Sequence, residues 1–171
     1  DVCSSDLTGS ASHLAAELFK FRARVDITRI NYKSAILGVI DLVGGQVQVM
    51  FPVAASVAPY LKSGRLRALA VTSAEPSPIA PGLPPLAQAG VPGYESVSVT
   101  GFFAPAGLPE AITRRLNQEI VRVLRRDDAR EKFIASGVES LGSTPDELAR
   151  FVRSERESLG RVIREAGIRE R

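Results

Sequence analysis

The sequence is poor in the residues on which most enzymes and metal sites depend. It contains one histidine, one cysteine, one methionine and no tryptophan among 171 residues. A single histidine and a single cysteine cannot form a metal cage or a disulfide framework, and the carboxylates show no metal-ligand spacing. No apolar run approaches the roughly 20 residues that cross a bilayer. We therefore expect no metal, no cofactor and no membrane-spanning helix.

The charge of the chain is mildly positive and rich in arginine. Lysine and arginine number 22 against 19 acidic residues, a formal net charge of +3. In the arginine-rich C-terminal third, Glu157 precedes Arg161 by four positions, the favourable order for exposed helix pairs. Aromatic residues do not alternate with these arginines, as base stacking would require. This pattern indicates a solvated helix face and no nucleic-acid partner.

The first seven residues differ in character from the rest of the chain. Residues 1–7 resemble the in-frame translation of the end of a sequencing-library adapter. On this interpretation they lie outside the fold, and Cys3 is lost as a candidate for thiol chemistry. The native sequence then begins near Thr8, and the chain is a fragment cut at its N-terminus.

A helix with small, polar residues at its start is expected just after this segment. Leu14, Leu18 and Phe21 recur at spacings of four and three, which places one apolar stripe on a helix. The backbone N–H groups at a helix start lack intrahelical partners, and the helix dipole adds partial positive charge there. Residues 8–12 could therefore hold a carboxylate or phosphate. The alternative is a plain cap, in which a serine such as Ser10 only caps its own helix.

Helices and strands alternate along the first half of the chain, which predicts an α/β layer with a largely parallel sheet. After the first helix we expect strands at residues 25–32, 46–51 and 66–72, and helices at residues 34–43 and 54–63. A proline-rich loop and a long strand at 96–104 follow. The rest is helical except for a short strand at 138–141. A capping box of Thr144 and Glu147 opens the last helix.

Catalysis by His13 with Ser10 or Ser12 is an enzymatic alternative. The serines do not sit in the G-x-S-x-G elbow that presents a nucleophile between a strand and a helix. His13 also projects from the helix that bears the serines, which is a poor geometry for a general base. A lone histidine on a helix is more often a packed or capping residue, so we expect no enzymatic activity.

Seven short motifs follow one another along residues 8–168. They are TGSASHL (8–14), NYK (31–33), DLVGGQV (41–47), LKSGRLRALAVTS (61–73), AQAGVPGYE (87–95), APAG (104–107) and GSTPDE (142–147). In this order they resemble the Bug family, the TctC-like solute receptors of tripartite tricarboxylate transporters. The resemblance implies an incomplete periplasmic-binding-protein-like fold of the two-lobe, Venus-flytrap type (type II).

The resemblance also implies a domain division and a set of partners. Residues 8–96 would form most of the second lobe, and residues 97–171 the hinge strand and the C-terminal helical part of the first lobe. The protein would be a monomer in the periplasm, bind a small carboxylate and deliver it to membrane permease subunits. The ligand classes are tricarboxylates, dicarboxylates, acidic amino acids and aromatic acids.

The implied ligand-binding residues follow from the matching motifs. They are Thr8, Gly9, Ser10, Ala11, Ser12, Tyr32 and Phe51. A second half of the carboxylate site, from a Pro-Gly-Gly-type loop, would lie upstream of Thr8. Ser34 and Pro52 depart from the usual family pattern near these positions, so the preferred acid is not transferable from a relative.

Two further expectations follow from the family resemblance. The same flytrap fold serves as the effector-sensing domain of transcription regulators, which is the alternative function. A first lobe without all of its sheet partners should leave apolar helix faces exposed. We expect this exposure at Ile112, Leu116, Ile120 and Leu159.

Overall fold

The computed structural model describes residues 2–5 and 9–165. In that part of the chain the elements are β1 (Val2–Ser5), α1 (Ala11–Ala23), β2 (Thr28–Asn31), α2 (Ala35–Val43), β3 (Val49–Met50), α3 (Ala54–Lys62), α4 (Glu110–Leu124), α5 (Asp127–Ala135) and α6 (Pro145–Glu165). The helices expected from sequence are all present, with bounds within a few residues of the expected ones.

The sheet of the described residues has three strands in the order β2-β1-β3. Both pairings are parallel: Cys3 lies opposite Arg29 on one side and opposite Val49 on the other. The chain therefore passes from β1 outward to β2 and then crosses over β1 to reach β3. Parallel pairing needs such crossovers, and the helices α1 and α2 supply them.

The central position of β1 corrects, for residues 2–5, the expectation that residues 1–7 lie outside the fold; Asp1, Asp6 and Leu7 lie outside the described residues. Residues 2–5 pair along their whole length with β2, and Cys3 and Ser4 pair also with β3. The physical reason is that ladder pairing uses backbone N–H and C=O groups, which any residue except proline supplies in full. A segment with little apolar character can thus occupy the middle of a sheet.

The hydrophobic core joins the first helix to distant parts of the chain. One buried cluster contains Leu18, Val91, Tyr94 and Val162, with Phe51 packed against it. A second cluster pairs Ala16 with Ile27 under the sheet strands, again with Phe51 alongside. Helix α1 is therefore held by the sheet, by the loop before residue 95 and by the end of α6. The division into lobes at residue 97 remains a prediction, and Val162 packs across it.

Residues 66–72 and 96–104 do not form the strands expected from their alternation. The first segment makes one isolated bridge, between Val71 and Pro85. Val71 N–H donates to the carbonyl of Pro84, and Leu86 N–H donates back to the carbonyl of Val71. Pro84 and Pro85 have no N–H to continue a ladder, so pairing stops there. In the second segment Phe103 is 81% exposed, and no strand partner covers it.

The C-terminal helices leave apolar side chains in solvent. Ile112 and Leu116 of α4 are 48% and 49% exposed, as expected, whereas Ile120 and Leu159 are half-buried. The strand expected at 138–141 is absent, because Val138 N–H closes a turn onto the carbonyl of Phe133 at the end of α5. None of the helices in residues 9–165 is long and apolar enough to cross a membrane.

Candidate functional site

The three parallel strands end at one edge of the sheet, and the expected site residues follow those ends. Gly9 to Ser12 come after β1, Tyr32 after β2 and Phe51 after β3. Thr8 lies outside the described residues. In open α/β sheets ligands bind beyond the carboxyl ends of the strands, where the strand order reverses. With the order β2-β1-β3 that point lies between β1 and β3.

The start of α1 follows β1 directly and is formed by a serine cap. Ser10 is the N-cap, with extended backbone, and its Oγ accepts from the His13 N–H at 3.2 Å. The first bond of the helix ladder runs from Leu14 N–H to the carbonyl of Ser10, at 2.9 Å. Ala11 and Ser12 come before that bond, so their N–H groups have no acceptor within the helix. The serine cap and two amides without a helix acceptor therefore coexist at one helix start.

His13 is buried behind this helix start and turns towards Gly9. The residue is 1% exposed, and Nδ1 accepts from the Gly9 N–H at 2.9 Å. An imidazole nitrogen that accepts carries no proton, so His13 is neutral with its proton on Nε2. Nε2 lies 3.8 Å from Glu17 Oε1. Burial, together with the charge of Arg29, holds the pKa of His13 below its ordinary value.

This geometry gives His13 a capping and packing role. Its Nδ1 accepts a hydrogen bond from the Gly9 N–H, which ties the segment before α1 to the first turn of the helix. Gly9 has φ +83°, a backbone conformation that favours glycine, and a Cβ there would meet nothing within 4 Å. Gly9 thus shapes the turn between β1 and α1, while its amide is engaged by His13.

Tyr32 connects the end of β2 to helix α2. Its hydroxyl donates to Asp41 Oδ2 at 2.7 Å. This hydrogen bond raises the pKa of Tyr32, because ionisation would place a phenolate against the Asp41 carboxylate. A ligand near Tyr32 would find an oxygen whose proton is already donated and which can still accept.

Phe51 lies at the end of β3 and packs its ring against α1. The centroids of Phe51 and Phe19 are 5.6 Å apart with a tilt of 48°. Phe19 in turn meets the ring of Tyr94 edge-on at 6.5 Å. Phe51 is half-buried and belongs to the packing of both core clusters. Its first role is to hold the carboxyl end of β3 against the helix that follows β1.

Arg29 is a residue of this region that no sequence pattern singled out. It lies in β2, and its Nη1 is buried without a hydrogen-bond partner. Its charge is one of the causes that lower the pKa of His13. In the sequence it is one polar position of an alternating strand, and alternation alone does not distinguish a solvated arginine from a buried one.

Comparisons with known proteins match almost the whole chain. The family model of the tripartite tricarboxylate transporter family receptor, TctC, covers residues 3–168. A UPF0065 protein from the tcbD-tcbE intergenic region of Pseudomonas sp. strain P51 is 35% identical over 156 residues. That match covers 91% of this chain and 46% of the relative. The chain thus spans about half the length of this relative.

Solved structures superpose on the chain over nearly its full length. Rpa4515 of R. palustris, solved with adipate, gives a TM-score of 0.79 at 35% identity. The match covers 97% of this chain and 56% of the Rpa4515 chain. The periplasmic binding protein BugD gives a TM-score of 0.76 at 26% identity, and the match covers 99% of this chain and 57% of the BugD chain. MatC of Rhodopseudomonas palustris, solved with bound malate, gives a TM-score of 0.72 at 29% identity, and the match covers 95% of this chain and 56% of the MatC chain.

Proposed function

This chain belongs to the tripartite tricarboxylate transporter receptor family, and from this premise we propose that it is part of a receptor for a small carboxylate. The fold class expected from sequence is confirmed: the solved neighbours are periplasmic binding proteins, and the chain corresponds to about half of each. Proteins of this family bind and present a solute, so the proposed mechanism is binding without bond chemistry.

The observation that carries the proposal is the position of the α1 start. It lies at the edge where the parallel strands end, and the Ala11 and Ser12 amides have no acceptor in the helix. The helix dipole places partial positive charge at the same point. A carboxylate can accept from such amides without a charged side chain. Two related structures hold dicarboxylates, adipate and malate, which supports the same ligand class for this chain.

The wider setting of the receptor is part of the same proposal. Family membership supports a periplasmic protein, monomeric, that hands its ligand to the permease subunits of a tripartite tricarboxylate-type transporter. Residues 8–96 would form most of one lobe, and residues 97–171 the hinge and part of the other. Closure of two lobes around the acid would complete the site, with a second set of amides facing α1.

The test is a calorimetric titration of the chain with adipate and with malate. The uncharged 1,6-hexanediol, which has the carbon chain length of adipate, serves as the control ligand. We expect saturable binding of at least one acid with a Kd on the order of millimolar, and no heat with the diol. Equal heats from acid and diol, or no binding of either acid, would contradict the proposal. A longer protein that supplies the opposing amides should bind the same acid more tightly.

A further inference from the structure

The contact between His13 and Gly9 crosses the turn that presents the proposed carboxylate site. The Gly9 N–H donates to His13 Nδ1 at 2.9 Å, and the His13 N–H donates to Ser10 Oγ at 3.2 Å. The turn is therefore fixed at two points by one residue of the first helical turn. Because the His13 side chain is only 2% exposed, its packing prevents the imidazole from rotating away.

This contact depends on the protonation state of His13. A protonated imidazole carries hydrogen on both nitrogens, so Nδ1 can no longer accept from Gly9. Two N–H groups, those of Gly9 and Nδ1, would then face each other across a partly buried contact, at the positive end of the helix dipole.

The charged groups that act on the imidazole are Glu17 and Lys20 of α1 and Arg29 of β2. Burial first, and then the charges of Arg29 and Lys20, oppose the imidazolium and lower the pKa of His13, whereas Glu17 favours it. The two cations and the burial prevail, and the neutral ring is the resting state.

We propose that His13 is a positioning residue of the carboxylate site: its neutral imidazole holds the Gly9 amide and so aims the Ala11 and Ser12 amides at the ligand. Protonation of His13 releases the turn and weakens carboxylate binding. The proposal rests on the proposed function, and it adds an acid-sensitive control to the same site. It also removes the Gly9 amide from the set of groups that meet the acid.

Nuclear magnetic resonance tests the coupling without any ligand. His13 is the only histidine of the sequence, so its imidazole nitrogens give unambiguous signals. As the pH is lowered, we expect the chemical shifts of the Gly9 amide and of His13 Nδ1 to change together. Their common midpoint should lie below the ordinary histidine pKa of about 6.5. A Gly9 amide that does not respond while His13 titrates would overturn the proposal.

Two variants separate the acceptor from the ring. In His13→Asn the carboxamide oxygen can take the place of Nδ1 as an acceptor that does not titrate. His13→Ala has no acceptor. We expect His13→Asn to keep the slow exchange of the Gly9 amide at all pH values, and His13→Ala to lose it. If His13→Ala does not fold, the pH response of the unmodified chain and its absence in His13→Asn decide the question.

Adipate titrations at two pH values complete the test. We expect the affinity of the unmodified chain to fall about tenfold between pH 7.5 and a pH below the His13 midpoint, as for the loss of one hydrogen bond to an ion. His13→Asn should bind with the same affinity at both pH values. Equal pH dependence in both proteins would overturn the role of His13. Absence of adipate and malate binding at any pH would instead overturn the proposed function, whatever the Gly9 amide shows.

Discussion

The Tyr94 hydroxyl donates a hydrogen bond to the backbone carbonyl of Ala15 at 2.9 Å, across 79 positions of sequence. Tyr94 is 1% exposed and packs with Leu18 and Val162. The bond ties the middle of α1 to the loop that precedes the proposed lobe boundary. Because the start of α1 carries the proposed site, this contact fixes the helix on which the site depends.

Tyr94→Phe tests this connection. The variant keeps the ring and deletes the hydroxyl, so we expect a loss of about 1 kcal/mol in the free energy of unfolding. Chemical denaturation monitored by circular dichroism measures it. Tyr60→Phe, which deletes the hydroxyl of a half-buried tyrosine on α3, is the control and should change stability by less than 0.5 kcal/mol, about the limit for surface changes. Equal effects in the two variants would contradict the role given to Tyr94.

The close approach of Gly137, which follows α5, to Ala55 of α3 leaves no room for a side chain at Gly137. A Cβ at this residue would lie 2.8 Å from the Ala55 Cβ and 2.9 Å from the Ala55 nitrogen. Gly137 also has φ +72°. We expect Gly137→Ala to destabilise the fold by about 2 kcal/mol or more, because backbone strain and overlap add.

Gly107→Ala is the matched control for this overlap. Gly107 has φ +85°, and a Cβ there meets nothing within 4 Å. Its substitution should cost only the backbone strain, about 1 kcal/mol. Thermal unfolding of both variants gives the comparison. Equal losses for Gly137→Ala and Gly107→Ala would show that Gly137 does not pack against Ala55 in solution.

The capping box at the start of α6 is reciprocal. The Thr144 N–H donates to Glu147 Oε2 at 2.8 Å, and the Glu147 N–H donates to Thr144 Oγ1 at 3.2 Å. We expect Thr144→Ala to lower the free energy of unfolding by about 1 kcal/mol. The neighbouring Ser143→Ala is the control, because the backbone carbonyl of Ser143, which the substitution keeps, accepts the hydrogen bond from Asn117 Nδ2.

The same capping box predicts acid sensitivity of α6. The Thr144 backbone bond holds the pKa of Glu147 below its ordinary value. A carboxyl whose pKa is lowered by folding stabilises the fold at pH values above its pKa in the unfolded state. This stability is lost as the pH falls through its pKa in the folded state. Helicity should therefore decrease on acidification in the unmodified chain and less so in Glu147→Gln. Identical acid transitions in the two proteins would contradict the capping role.

Tyr32 and Asp41 form a second titrating pair, at the end of β2. Because the hydrogen bond to Asp41 raises the pKa of Tyr32, the phenol should ionise above pH 10, the ordinary value. Asp41→Asn should bring the pKa of Tyr32 back towards that value. The Tyr32 Cζ shift followed by nuclear magnetic resonance measures both. The stability that the fold gains from a raised phenol pKa is lost as the pH rises through the pKa of Tyr32 in the folded state. An unchanged Tyr32 titration in Asp41→Asn would contradict the pairing.

The helices were predictable from the sequence because their signals are local. The apolar stripe and small-residue start of α1, and the Thr144–Glu147 capping box of α6, depend on neighbours within one or two turns. The structure confirms both caps. The motif order also identified the family, which the family model confirms.

The strands were harder to predict because pairing depends on distant partners. Residues 66–72 alternate as a strand does, but the segment opposite contains Pro84 and Pro85 and cannot continue a ladder. Residues 2–5 lack a strand pattern and still pair on both sides. The hydrogen bond from Gly9 to His13 Nδ1 and the buried Nη1 of Arg29 were likewise not visible, since the orientation of each side chain in the fold sets them and residue type alone does not.

The central claim is that backbone amides at the start of α1 bind the carboxylate, and Ala11→Pro addresses it directly. Ala11 is the first residue of α1, a position where proline is favoured, and Ser10 already has the extended backbone that must precede proline. The variant therefore deletes one N–H with little change in the fold. Asp127→Pro makes the same change at the start of α5, a helix that does not follow a strand of the sheet.

The deciding measurement is the affinity of each proline variant for adipate, by calorimetry at pH 7.5. We predict that Ala11→Pro binds at least about tenfold more weakly than the unmodified chain, as for loss of a hydrogen bond to a charged group. Asp127→Pro should bind with unchanged affinity. Unchanged adipate affinity in Ala11→Pro, with its helical content intact, would contradict the account.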